Sequence, residues 1–165
     1  MMNKSDPIVM EVINNRLQSI ANEMEDSLLK MAFSVIVKEM KDASTAIFDA
    51  KGRTIAQSAA MPCQLGFLSS SVPAILEDFP VSQAKEGDVY LQNDPFNGGS
   101  HIPDVTAFTP IFYEGEVVGF AACMVHLADT GGIAPPVCTP ATCVHQEGLC
   151  LPPFNFSIEV KPVNA

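Results

Sequence analysis

The chain has 165 residues, 47% of them apolar, enough for one domain with a sizeable core and too apolar for a disordered tail. Nine basic against 19 acidic side chains give a net charge of −10, a field that repels nucleic acid and anionic lipid, so neither is expected as a partner. The longest nearly unbroken apolar run, Val117 to Val125, is nine residues, well short of the roughly 20 that a helix needs to span a bilayer.

The N-terminus, Met1-Met2-Asn3-Lys4-Ser5-Asp6-Pro7, carries no apolar leader core, and a cytoplasmic location is expected. Val9, Ile13, Leu17, Ile20, Met24, Leu28, Met31 and Val35 then recur at spacings of 3 or 4, the stripe of one long amphipathic helix. Asp6 reads as its N-cap and Pro7 as its first residue, and the helix is predicted over about 7–37, with the whole stripe packed in a core or against a subunit. The period changes to two at Thr45–Phe48 and Arg53–Gln57, which flank the turn residues Asp49–Gly52 and predict a hairpin. A second helix is predicted from Ser70 to about Phe79, a short strand at Asp88–Leu91, and a longer hairpin from Val105–Tyr113 and Glu116–Val125 around Glu114-Gly115. The class is therefore α+β: a long N-terminal helix packed with an antiparallel or mixed sheet built of hairpins. Residues 133–165 are rich in proline, which blocks helix and central strand alike, and this region is expected to be loop or tail within a single domain 1–165.

Five cysteines, an odd number without an export signal, predict reduced thiols rather than a disulfide framework. Cys138, Cys143, His145 and Cys150 lack the two-to-four-residue ligand pairs of structural zinc sites, so they read as small apolar fillers.

Polar residues concentrate between the strands, in Asn93-Asp94-Pro95-Phe96-Asn97-Gly98-Gly99-Ser100-His101-Ile102-Pro103-Asp104. His101 and Asp104 stand two residues apart across a turn broken by Pro103, where a nitrogen and an oxygen can converge on a divalent cation. His126 and Asp129 repeat that spacing after the hairpin, which returns the chain to its starting edge and brings both pairs to one end of the sheet. Turn-capping aspartates and half-buried histidines are the plain alternative, and the residues alone leave both readings open. Gly98-Gly99 and Gly131-Gly132 read as turns of positive φ, and neither is followed by the Lys-Ser/Thr of a nucleotide-binding loop. No G-x-S-x-G serine elbow is present. Glu39 and Asp42, in Lys38-Glu39-Met40-Lys41-Asp42, place two carboxylates where the first helix ends, in isolation a solvated helix end.

Taken in order, Ile36–Ser44, Ala46–Arg53, Asn93–Asp104, Val125–Gly132 and Gln146–Leu149 resemble the N-terminal part of the hydantoinase B/oxoprolinase family. That family includes N-methylhydantoinase B subunits, 5-oxoprolinase and the metal-bearing subunit of acetone carboxylases. The resemblance implies ATP-dependent hydrolysis of a cyclic amide such as a hydantoin or 5-oxoproline, with ATP used through a hydantoinase A-type partner in a hetero- or homo-oligomer. It also implies a divalent Mn, Zn or Fe ion at His101, Asp104 and His126, polarising substrate or water. Glu39 and Asp129 are then the acid/base or additional ligand candidates, and Asp94 the residue expected to orient a histidine. An acetone-carboxylase-type fragment and a non-catalytic association domain are the alternatives. Many relatives carry a second consecutive histidine where this chain has Leu127, and family chains run several times longer, so a truncated product or excised domain is expected.

Overall fold

The computed structural model describes residues 6–59, 61–135 and 140–156. Helix α1 spans Pro7–Met31, with Pro7 at its first position and the Asp6 carboxylate accepting the Ile8 N–H at 2.9 Å. The structure corrects the predicted end at residue 37: Ala32 is extended, and a separate four-residue helix α2, Val35–Lys38, follows. The apolar period runs across this break, so periodicity alone reads one helix where the chain changes direction. The stripe is likewise buried only in its middle, where Leu17, Ile20, Ala21 and Met24 pack on Ile47 and Ala56. Val9, Ile13 and Val35 are exposed.

Strands β1 (Ala43–Asp49) and β2 (Thr54–Gln57) form the first hairpin, and helix α3 follows at Pro62–Asp78. Its start at Pro62 rather than Ser70 was hidden by Gly66, a poor helix former in isolation. Strands β3 (Tyr90–Gln92), β4 (Asp104–Tyr113), β5 (Glu116–His126) and β6 (Phe154–Asn155) complete a sheet of order β2-β1-β5-β4-β3-β6. Every pairing in it is antiparallel. Between β4 and β5, Glu114 and Gly115 both adopt positive φ, 50° and 84°, the twist that suits a two-residue hairpin turn.

Alternation along the strands divides the side chains between two faces. Ala46 and Phe48 of β1, Phe108 of β4, and Phe120, Ala122 and Met124 of β5 pack with Leu68, Val72 and Ile75 of α3 in the main core. The opposite face of β1 and β2 meets α1, and the buried Thr45 hydroxyl donates to the Ala21 carbonyl at 2.7 Å. Of the proline-rich region, residues 133–135 and 140–156 are described, and the latter hold more than a tail. They contribute β6 at the sheet edge and a loop that Asn93 binds from both ends, its amide donating to the Ile102 and Leu149 carbonyls and its oxygen accepting the Leu151 N–H. No helix of the described residues is long and apolar enough to cross a membrane.

Candidate metal centre

Strand register builds the site. In the β4–β5 hairpin the first residue of one strand, Asp104, lies opposite the last residue of the other, His126. On the other side of β5, Ala43 pairs with Val125, and one step further the His126 N–H donates to the Asp42 carbonyl at 3.2 Å. Asp42, His126 and Asp104 thus form a row across three neighbouring strands, and period-two alternation sets them on the face that α3 covers. Asp42 arrives there through Lys41, whose φ of 56° turns the chain out of α2 and into β1. His101 joins from the turn before β4, which closes when the Asp104 N–H donates to the His101 carbonyl at 3.0 Å, with Ile102 fully buried as its anchor.

Three ligand atoms, one each from His101, Asp104 and His126, lie within 4.8 Å of one another. Asp104 Oδ1 sits 2.9 Å from His126 Nδ1 and 3.2 Å from His101 Nε2, while Ser100 Oγ donates to its Oδ2 at 2.5 Å. The two imidazole rings are tilted by 41° with centroids 5.0 Å apart. Burial alone pushes the Asp104 carboxyl up, but the bonds from His101, His126 and Ser100 outweigh it and hold the group far below the usual carboxylate range. The bond to Asp104 raises His101 above the ordinary imidazole value against the effect of burial, and the charges of Glu147 and Asp42 act in the same direction. An ionised carboxylate with two imidazole nitrogens suits Zn, Mn or Fe better than Ca or Mg, which prefer all-oxygen cages. The residues present therefore fit a transition-type divalent ion. Asp104 and His126 are buried at the end of the sheet, whereas His101 has 44% of its side chain exposed and opens the cluster to solvent.

The other candidates fall elsewhere. The Asp129 carboxylate accepts the Gly131 N–H at 2.8 Å, closing its own turn, and is exposed. Glu39 is exposed at the end of α2, and neither it nor Asp129 belongs to the converging group. Asp94 closes a turn by accepting the Phe96 N–H at 2.9 Å; the histidines are oriented by Asp104 itself. Gly98, at φ 81°, has no room for a Cβ, which would meet the Ser70 carbonyl of α3 at 2.8 Å, so this glycine packs the site loop on the helix. Of the cysteine cluster, Cys138 lies outside the described residues, and Cys143 and Cys150 are free thiols.

Residues outside the predicted site set also reach the cluster: Asp42, weighed from the sequence as a solvated helix end, Gln64 and Glu147. Asp42 Oδ2 stands 4.0 Å from His126 Nδ1, and Gln64 of α3 donates to Asp42 Oδ1 at 2.7 Å. Glu147 is brought up by its loop: the Thr130 hydroxyl holds its carbonyl at 2.7 Å, and its carboxylate accepts the Ile102 N–H at 3.4 Å. The pairing of the Thr130–Gly132 and Gln146–Leu149 stretches explains why both are glycine-rich. A Cβ on Gly132 or Gly148 would overlap the facing backbone at 2.6 and 2.3 Å.

The model of the hydantoinase B/oxoprolinase family matches residues 6–164. The chain belongs to that family. The 5-oxoprolinase of Dictyostelium discoideum is 37% identical over 147 residues, which are 88% of this chain and 12% of that protein. The caprolactamase subunit beta of Pseudomonas jessenii is 37% identical over 156 residues, 94% of this chain and 27% of that subunit. The crystal structure of the ATP-dependent caprolactamase from the same organism superposes with a TM-score of 0.77 at 30% identity, covering 96% of this chain and 28% of that one. A nucleotide-free acetone carboxylase shares the fold, with a TM-score of 0.79 at 22% identity over 90% of this chain and 20% of its own. The chain therefore spans a small fraction of these family members' length.

Proposed function

We propose that this chain is the metal-holding part of a hydantoinase B/oxoprolinase-type subunit that serves ATP-dependent hydrolysis of a cyclic amide. The observation that carries this reading is the convergence of His101, Asp104 and His126 within 4.8 Å, with the carboxylate held ionised. Relatives named 5-oxoprolinase and caprolactamase support a cyclic amide as substrate, since oxoproline and caprolactam are both lactams. His101, Asp104 and His126 would hold a Zn, Mn or Fe ion, with Asp42 as a fourth donor; such an ion polarises a carbonyl or a water as a Lewis acid. Ser100 fixes one oxygen of Asp104 and so leaves the other facing both imidazoles. His101, the exposed member, marks the side from which a small substrate approaches. Glu147, whose carboxylate accepts the Ile102 N–H next to His101, is the candidate to accept or return a proton as the ring opens. Asp129 and Glu39 stay as acid/base candidates only if a partner or substrate draws their loops toward the cluster.

No phosphate-cradling G-x-x-x-x-G-K motif occurs in the sequence, so activation by ATP is assigned to a hydantoinase A-type partner subunit. The name "subunit beta" of the caprolactamase relative supports such a division of labour. Elemental analysis and ATP-dependent hydrolysis of hydantoins, 5-oxoproline and caprolactam, with and without an A-type subunit, test the reading. The expected result is about one divalent ion per wild-type chain, its loss in His101→Ala, and no hydrolysis by the chain alone. Retention of the wild-type metal content by His101→Ala overturns the metal assignment, and hydrolysis without any partner overturns the division of labour.

A further inference from the structure

Gln64 sits in the first turns of α3, over the row formed by Asp42, His126 and Asp104, and is only 2% exposed. Burying a primary amide costs free energy unless both its ends are bonded, and a leucine of similar size would pack there without that demand. Both ends are bonded. Nε2 donates to Asp42 Oδ1 at 2.7 Å, and Oε1 accepts from Ser44 Oγ at 2.8 Å. Ser44 is fully buried, and its hydroxyl lies 3.5 Å from its other acceptor, the Met61 carbonyl, so its single proton goes to the amide oxygen. That fixes the amide's orientation, because the reverse would set its oxygen against a carboxylate. With Oδ1 held in this way, Asp42 Oδ2 faces the cluster at 4.0 Å from His126 Nδ1. This is too long for a hydrogen bond and longer than the roughly 3.3 Å between ligands about 2 Å from a tetrahedral ion, so the carboxylate stands beside the cluster and closes a gap of less than about 1 Å to share an ion with His126.

We propose that Gln64 is a positioning residue: braced by Ser44, it holds the Asp42 carboxylate so that Oδ2 serves as the fourth donor to the ion of the His101–Asp104–His126 cluster. The proposal rests on the metal reading above and deepens it, since it ties the site to α3, which carries the main core. Asparagine is one methylene too short to keep the bond, and glutamate would set a second carboxylate against Asp42.

The test is a double-mutant cycle on the whole chain: wild type, Gln64→Leu, Asp42→Ala and the double variant, each titrated with Zn²⁺ against a chelator and loaded with Co²⁺ for its visible spectrum. Gln64→Leu is expected to weaken Zn²⁺ binding by about 10- to 100-fold, the usual effect of removing a residue that orients a metal ligand. The double variant should bind no more weakly than Asp42→Ala, and the Co²⁺ band of Gln64→Leu should shift toward that of Asp42→Ala. Wild-type affinity in Gln64→Leu overturns the proposal. So do losses that add in the double variant, because Gln64 would then act through the fold and not through Asp42. If Gln64→Leu does not fold, Gln64→Asn replaces it, with the same weakening expected and the same outcomes decisive. Failure of the wild type to bind Zn²⁺ or Co²⁺ instead removes the metal reading, and the positioning role with it.

Discussion

The two faces of the sheet are built differently. Beneath α3, Phe48, Phe108 and Phe120 are each at most 2% exposed, with the Phe108 and Phe120 rings edge-on at 5.3 Å and Tyr90 stacked on Phe108 at 5.0 Å. On the other face the residues are small, and α1 covers only β1 and β2 through Ala21, Ile47 and Ala56. Beside it a hollow of 240 Å³ is lined by Met24, Ala107, Ala121 and Cys123, whose thiol burial pushes up to about 11. Large aromatic side chains interdigitate and lock strand positions, whereas small ones leave a surface whose burial depends on what is laid over it. Asp42, His126 and Asp104 project from the aromatic face, so their spacing is tied to the packing of that core.

Removing an aromatic from the α3 face should have the largest effect. Phe120→Ala is expected to lower the unfolding free energy by about 3–5 kcal/mol, read from urea denaturation; a loss below about 1 kcal/mol would mean that the rings are not the main core. The tie between β1 and α1 is weaker: Thr45→Val removes the buried bond to the Ala21 carbonyl and should cost about 1 kcal/mol. An unchanged midpoint would detach α1 from the stability of the sheet.

At the hairpin turn, burial pushes the Asp49 carboxyl up. Bonds from the Arg53 and Lys51 N–H groups and from the Arg53 guanidinium outweigh it and leave the group below its ordinary value. A carboxyl with a depressed folded value adds stability above its unfolded value, about 3.9, and loses it as pH falls through the folded one. Asp49→Asn should therefore melt about 1–3 °C lower than wild type at pH 7, and the two curves should converge below about pH 4. A gap that stays constant down to pH 3 would show that the charge contributes nothing. The smallest effect is expected at the open end of α1, where Ile13 is 47% exposed: Ile13→Ala should change stability by less than about 0.5 kcal/mol. A larger loss in the isolated chain would show that this face is already covered in solution.

Local chemistry was readable wherever the interacting groups are close in sequence. The Asp6-Pro7 cap, the Glu114-Gly115 turn and the β4–β5 hairpin follow from short-range rules, but Asp104 comes opposite His126 only because the register shifts by one residue between Ile111 and Phe112; without that bulge the turn would set it opposite Val125. Repetition of a spacing was a poorer guide. His101-x-x-Asp104 runs through a turn into a strand, while His126-x-x-Asp129 leaves a strand, and there the Gly131 N–H takes the second carboxylate. Choosing between Glu39 and Asp42 lay beyond any local pattern, because it depends on the break after Met31, on Lys41 at positive φ, and on β1 pairing with β5 across some 80 residues of chain. The same holds for Gln64 and Glu147, which α3 and the 146–149 loop bring to the site from opposite sides in sequence. The amino-acid sequence by itself determined the α+β class and the long hairpin and singled out His101, Asp104 and His126, since periodicity and turn chemistry act over a few residues. Only the tertiary structure decided which carboxylates and amides surround those three side chains, since that depends on strand order and helix placement, which long-range burial of apolar surface selects.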